Sequence, residues 1–177
     1  AVSAYATFGL EGIFIPMYLA QHVDDWRYII NDCQAKIIIV NNDLTFEKIQ
    51  SIKDTCPQIK QIVVVDSSTK HMSFHDLCHQ DVSAIAAKTQ QHHETCCIAY
   101  TSGTTGKPKG VMLSHKNFMY EIEAGLSVFD LKTSDRSLSF LPWAHIFGHV
   151  TEVHAVIYSG MSTAIVNDIQ EILSYIQ

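Results

Sequence analysis

Apolar positions along the chain fall into two alternating patterns, short continuous runs and stripes spaced three or four residues apart. The runs Lys36-Ile-Ile-Ile-Val40 and Gln61-Ile-Val-Val-Val-Asp66 predict short strands covered on both faces, as parallel sheets require. Gly12 to Tyr18 predicts a further strand, with Pro16 placing it near an edge or a strand end. Between these runs the period changes. A helix from Asp24 through Cys33 carries the stripe Trp26, Ile29, Ile30 and Cys33, with Asp24 as its cap. A second helix, capped by Asp43, carries Phe46, Ile49 and Ile52 and ends before Pro57. Ala1 to Leu10 matches the end of a helix closing at Gly9. Strand, helix, strand, helix, strand at this spacing predicts a parallel Rossmann-like unit over residues 1–66. No glycine-rich turn follows its first strand, so no dinucleotide site is expected there.

Residues 67–94 are polar and predict a connecting segment with one short helix. They hold His71, His75, Cys78 and His79 on one helical face, then His92 and His93. Such a set could ligate a metal. A solvated surface helix accounts for the same spacing, since no second ligand pair is placed to close a site, and no metal residues are assigned. Residues 95–177 predict a second α/β unit. Its strands are Cys96 to Tyr100, Val111 to Leu113, Ser137 to Leu141 and Met161 to Val166. Its helices are one capped by Ser114 through about Val128 with the stripe Met119, Ile122 and Leu126, one over Phe147 to Tyr158, and one capped by Asn167 or Asp168. The expected class is α/β, with parallel Rossmann-like sheet layers flanked by helices. The chain begins without methionine, and the stripe Ile169, Ile172, Leu173, Ile176 runs into Gln177 without a stop signal. Both ends are therefore expected to be cut, with the two units forming parts of one truncated domain.

Composition changes this picture little. The 177 residues are 47% hydrophobic and 17% charged, enough for a sizeable core. A net charge of −6 argues against a nucleic-acid or anionic-membrane surface. Cys33, Cys56, Cys78, Cys96 and Cys97 have no framework spacing, and without secretory features an odd count predicts reduced thiols and a cytoplasmic setting. No apolar run approaches the length of a bilayer span.

The candidate chemistry lies in Tyr100-Thr-Ser-Gly-Thr-Thr-Gly-Lys-Pro-Lys-Gly110. Gly103, Gly106 and Gly110 allow positive φ and let amides turn toward one point. Lys107 and Lys109 add charge where phosphate oxygens would sit. Thr101, Ser102, Thr104 and Thr105 supply hydroxyls, and Pro108 stiffens the exit. The chemistry is that of a polyphosphate clamp. It is not a Walker loop, because two residues rather than four separate Gly103 from Gly106 and Pro108 follows Lys107. Thr104-Thr-Gly-Lys107 has a nucleophile-x-x-lysine spacing, but that motif uses serine and needs partners not visible here.

The run resembles, almost letter for letter, the signature motif of the adenylate-forming superfamily: acyl- and aryl-CoA synthetases, peptide-synthetase adenylation domains and luciferases. Val-Met-Leu-Ser-His-Lys-Asn117 resembles its continuation in acyl-CoA synthetases, which puts His115 in a first helical turn. Leu141-Pro-Trp-Ala-His145 resembles the superfamily's Leu-Pro-x-x-His motif beside the acid substrate. The resemblance is strongest to long-chain fatty acid–CoA ligases; the alternatives are a fragment of another adenylate-former, such as an aryl-CoA ligase or a peptide-synthetase adenylation domain, and a non-catalytic nucleotide-binding module.

It implies that Thr101, Ser102, Gly103, Thr104, Thr105, Gly106, Lys107 and Lys109 bind the phosphates of ATP. It also implies that His145 positions the reacting carboxylate, and that Mg²⁺ and coenzyme A serve the complete enzyme. The segment after His145 helps line the acyl tunnel in long-chain members. Whether His149, Glu152 and His154 line it, pack or face solvent stays open. The adenine, ribose and magnesium motifs and the catalytic lysine of the family are not in these residues. The piece is therefore expected to be inactive alone, to carry a loop that is mobile without ligand, and to self-associate through faces the rest would cover.

Overall fold

A computed structural model of the chain describes residues 1–67, 71–101, 106–166 and 168–175. Contacts divide it into two compact units, one of Ala1–Tyr18, Ala87–Tyr100 and Gly110–Gln177, the other of Leu19–Ala86 and Thr101–Lys109. Among the described residues no helix is long and apolar enough to cross a membrane.

The first unit opens with α1 (Val2–Gly9), which ends where expected. The predicted strand after it shrinks to one parallel bridge between Phe14 and Cys97. There Phe14 donates to the Cys96 carbonyl at 2.8 Å and accepts from the Ile98 amide at 3.1 Å. Pro16, two residues on in the pleat, has no N–H to extend the ladder.

The second unit is a βαβ element with a helix before it. Helix α2 (Val23–Asp32) buries Trp26, Ile29 and Ile30, three of its four predicted stripe residues. Its N-cap is His22 rather than Asp24. Asp24 lies in the first turn, 2.9 Å from Arg27, where its charge complements the helix dipole. Strand β1 (Ile37–Asn42) leads into α3 (Asp43–Gln50), a 3₁₀ turn (Lys53–Thr55) and β2 (Gln61–Asp66). The strands pair in parallel, Ile38 opposite Ile62 and Val40 opposite Val64. The cap of α3 is Asn42, whose Oδ1 accepts the Thr45 amide at 3.0 Å, while Asp43 takes the Ser67 hydroxyl. Burial on β1 alternates: Ile38 and Val40 are buried, Ile37 and Ile39 exposed, so this chain covers one face of the strand, not both. Helix α4 (Phe74–Cys78), capped by Ser73, is the short helix predicted in the polar segment.

Back in the first unit, β3 (Thr95–Thr101) pairs with β4 (Lys109–Ser114). Ser114 then caps α5 (His115–Val128) through a reciprocal box with Asn117. The buried residues of α5 are Phe118 and Ile122. Phe118 packs with Cys96 and Cys97 and collects Phe8, Leu113, Ile146 and Val150 around them. Strand β5 (Arg136–Ser139) is followed by one helical run: α6 (Ile146–Gly148), a π-helical turn (His149–His154) and α7 (Ala155–Ser159). Gly160 closes it at φ 71°, and β6 (Ser162–Ile165) returns parallel to β5. Asp168 then caps a 3₁₀ turn (Ile169–Glu171) that runs into α8 (Ile172–Tyr175), while Asn167 and Ile176 lie outside the described residues. Two parallel strand pairs joined through helices establish the α/β class.

Candidate functional site

The loop after β3 is built from strand ends. Thr101 is the last residue of β3 and Lys109 the first of β4, both exposed. Gly106 has φ 86° and open space where a Cβ would stand, so it takes the left-handed turn predicted for it. Gly110 serves differently from expectation. Its φ is not positive; a Cβ there would lie 2.8 Å from Ile98 and 3.1 Å from the Tyr100 ring. Close approach to β3 is what requires glycine. The Lys107 ammonium stands 5.6 Å from the centroid of the Tyr28 ring, a cation–π contact. Ser102, Gly103, Thr104 and Thr105, and with them the expected mobility of the loop, lie outside the described residues.

His145 lies in the first unit, in the turn between β5 and α6. It is the N-cap of α6. Its Nδ1 accepts the Phe147 amide at 3.2 Å, its own amide donates to the Pro142 carbonyl at 2.9 Å, and its carbonyl accepts the His149 amide at 2.9 Å. With Nδ1 an acceptor, Nε2 is the ring nitrogen left to donate. The ring is exposed, so a directed donor is presented outward.

The three residues after it part company. His149 and His154 are only 4% and 5% exposed, inside an aromatic cluster. The His149 ring stacks on Phe14 at 5.6 Å, and Nδ1 of His154 lies 3.0 Å from the Tyr5 hydroxyl. Burial pushes the His149 pKa down, partly offset by the Trp143 backbone. Burial, with His149 beside it, pushes His154 down to about 4. Both rings are neutral aromatic packing groups at pH 7. Glu152 instead turns toward the end of β5 and accepts from Ser139, Phe140 and Leu141.

An apolar cavity of about 300 Å³ opens beside this helix, lined by Phe8, Phe118, Ile122, His154 and Tyr158 among others. His115 sits at its wall in the first turn of α5, as predicted, with its Nε2 bonded to Gln90 and its pKa lowered by burial. On α4, His75 and His79 stack at 4.1 Å, and His71 stacks on Phe46 at 3.8 Å. Among the described residues no three His, Cys, Asp or Glu side chains come together to hold a metal ion.

Ser139 and Gly148 do not stand out in the sequence, and Glu152, whose role the sequence leaves open, bonds the end of β5. One signal was available: an acid between Val150 and Val153 on a helix facing the core must find donors.

The α/β fold sets the class of protein, and comparison with known proteins makes it specific. The family described as AMP-binding enzyme matches residues 1–177. The chain belongs to that family. It is 28% identical over 173 residues to the long-chain-fatty-acid–CoA ligase ACSBG1 of Rattus norvegicus, covering 89% of this chain and 24% of that protein. To ACSBG2 of the same organism it is 30% identical over 179 residues, covering 92% and 27%. The chain thus spans about a quarter of the curated relatives it matches. Its fold superimposes on an anthranilate CoA ligase bound to anthranoyl-AMP with a TM-score of 0.85 at 25% identity, over 98% of this chain and 33% of that one. ATP-bound MatB from Rhodopseudomonas palustris gives 0.82 at 23% identity, over 98% and 34%.

Proposed function

We propose that the chain is part of an ATP-dependent acid–thiol ligase that activates a long-chain fatty acid and passes it to coenzyme A. In the first half-reaction a carboxylate oxygen attacks the α-phosphorus of ATP. The new O–P bond forms as the α–β bridge breaks, and pyrophosphate leaves with the electron pair. In the second, the coenzyme A sulfur attacks the acyl carbon, gives up its proton, and AMP departs. Little covalent chemistry is asked of the protein; it holds reactants in line and stabilises displaced charge.

The observation that carries the reading is His145, an exposed ring whose Nδ1 is engaged by the Phe147 amide, leaving Nε2 as the group that can donate. Such a group can donate to a carboxylate and orient it. Thr101, Ser102, Gly103, Thr104, Thr105, Gly106, Lys107 and Lys109 take the leaving phosphates. The positive φ of Gly106 supports this, since left-handed glycines are a feature of anion-binding backbone turns. The apolar lining of the cavity favours an aliphatic chain over acetate, and the matched long-chain-fatty-acid–CoA ligases point the same way.

A second reading, an aryl acid, is supported by the likeness to the anthranilate CoA ligase. Carboxylate-dependent ATP–pyrophosphate exchange separates the two. The full-length parent and the 177 residues are each assayed with acetate, benzoate and palmitate. Palmitate-dependent exchange by the parent beside silence from the short chain supports the fatty-acid reading. Benzoate preference moves the substrate to the aryl class, and exchange by the short chain overturns its being a part.

A further inference from the structure

We infer that Glu152 is a positioning residue for His145, acting through the Ser139–His145 turn. The inference rests on the proposed role of His145 and goes beyond it. Strand β5 ends at Ser139, which is 2% exposed, and the next six residues must deliver His145 to the head of α6. A turn of this kind, with a proline and no ladder, has little to hold it.

Glu152 supplies the hold. Its Oε2 accepts the Ser139 hydroxyl at 2.6 Å, and its Oε1 accepts the Phe140 amide at 3.3 Å. The Leu141 amide is shared between the two oxygens, at 3.2 and 3.1 Å. The Ser139 oxygen in turn accepts Trp143 Nε1–H at 2.9 Å, so Trp143 joins the same network. One carboxylate therefore fixes three consecutive residues directly and a fourth through the serine. Bonds to a carboxylate are among the stronger ones a loop can make.

The π-helical turn is what aims it. Glu152 belongs to the wide turn His149–His154, on the run that His145 itself caps, so the clamp and the clamped histidine share one rigid element. Gly148 closes the gap between them. A Cβ there would lie 2.9 Å from the Leu141 Cβ and 3.1 Å from the Pro142 carbonyl, so the helix meets the turn backbone to backbone. Leu141–His145 is thus pinned at its start by Glu152, along its length by Gly148 and at its end by the His145 cap.

The test is a double-mutant cycle in the full-length parent, with Glu152→Gln, Glu152→Asp, His145→Ala and the Glu152→Gln/His145→Ala pair, read by palmitate-dependent ATP–pyrophosphate exchange. Glutamine keeps the shape but sets an NH₂ against the turn's donors. Glu152→Gln should lower kcat roughly 10- to 100-fold, as misplacement of a positioning group does, and leave the KM for ATP within about twofold. Glu152→Asp should recover part of the loss. Adding Glu152→Gln to His145→Ala should cost little more, because the two act as one unit. Gly148→Ala should reproduce the kcat loss from the other side of the turn. Unchanged kcat, a loss additive with His145→Ala, or an equal loss in ATP affinity overturns the inference. Hydrogen–deuterium exchange across residues 140–149 gives a readout independent of turnover. If the wild-type parent shows no acid-dependent exchange with any acid, the ligase reading falls. The inference is then decided by whether Glu152→Gln speeds exchange at Phe140, Leu141 and the Phe147–His149 amides, and no change there overturns it.

Discussion

The Tyr5 hydroxyl and Nδ1 of His154 lie 3.0 Å apart, joining α1 to the helical run that follows β5. His154 packs against Phe8 and Phe118 as well, and burial with the neighbouring His149 pushes its pKa from 6.5 down to about 4. Between those two values the unfolded chain binds more protons than the native one. The stability from the neutral ring is therefore complete above about pH 6.5 and lost as pH falls toward 4, a change on the order of 3 kcal/mol. Urea denaturation of the 177-residue chain between pH 7.5 and 4.5 should show this acid limb. His154→Phe, which keeps an aromatic ring among the phenylalanines, should flatten it. An equally steep limb in the variant would remove His154 as its source.

The cysteines sort by burial. Cys56, Cys96 and Cys97 are buried, Cys33 is half-buried and Cys78 is exposed, and none of the five is in a disulfide. Burial pushes the Cys96 thiol up to about 11 and the Cys97 thiol, with Cys96 beside it, up to about 12. Since the thiolate is the nucleophile, native alkylation at pH 8 should label Cys78 first and leave Cys56, Cys96 and Cys97 unmodified until denaturant is added. Mass mapping of the labelled peptides checks the order. Early labelling of Cys97 would mean that β3 opens readily.

What the sequence reveals follows the range of the forces involved. Gln61–Asp66 is legible to the residue, because an apolar run between polar neighbours has no other way to hide itself. The Ser114 cap and the placement of His115 are legible for the same local reason. The caps at His22 and Asn42 are missed where a nearby aspartate has another partner, Arg27 for Asp24 and Ser67 for Asp43. The strand at Gly12–Tyr18 is overestimated, since its length depends on β3, some eighty residues away. Among the candidate residues, those of the loop and His145 stand out by motif, whereas Glu152 does not. Its meaning comes from donors eleven to thirteen residues back in the chain, brought to it by a π-helical turn that no apolar period announces.

The left-handed turn at Gly106 makes a graded prediction. At φ 86° an L side chain is strained although nothing stands in its way, so backbone conformation and not space sets the cost. Gly106→Asn should be tolerated best, Gly106→Ala should cost about 1–2 kcal/mol, and a β-branched residue more. In the full-length parent the same series should raise the KM for ATP in the pyrophosphate-exchange assay. On the proposed phosphate role of the loop, Lys109→Ala would remove one charge-assisted contact and should lower kcat/KM for ATP roughly 10- to 100-fold. An unaltered KM for ATP across the Gly106 series would separate this turn from phosphate binding.

Strand β1 tests whether the chain works as part of something larger. Its run is apolar on both faces, yet Ile38 is 8% exposed and Ile37 63% exposed. In the 177-residue chain Ile38→Ala should cost about 2–4 kcal/mol and Ile37→Ala no more than about 0.5. The two substitutions are chemically identical and adjacent, so the difference isolates burial from strand propensity. The proposal of a longer ligase adds a second expectation. A strand of this composition is stable in solution with both faces covered, and in the full-length parent Ile37→Ala should become costly as well, by at least about 1 kcal/mol. Thermal or urea unfolding of the two proteins with the same pair of substitutions makes the comparison. If Ile37 stays silent in the parent, its exposed face is a true surface, and the apolar run there owes its composition to strand formation alone.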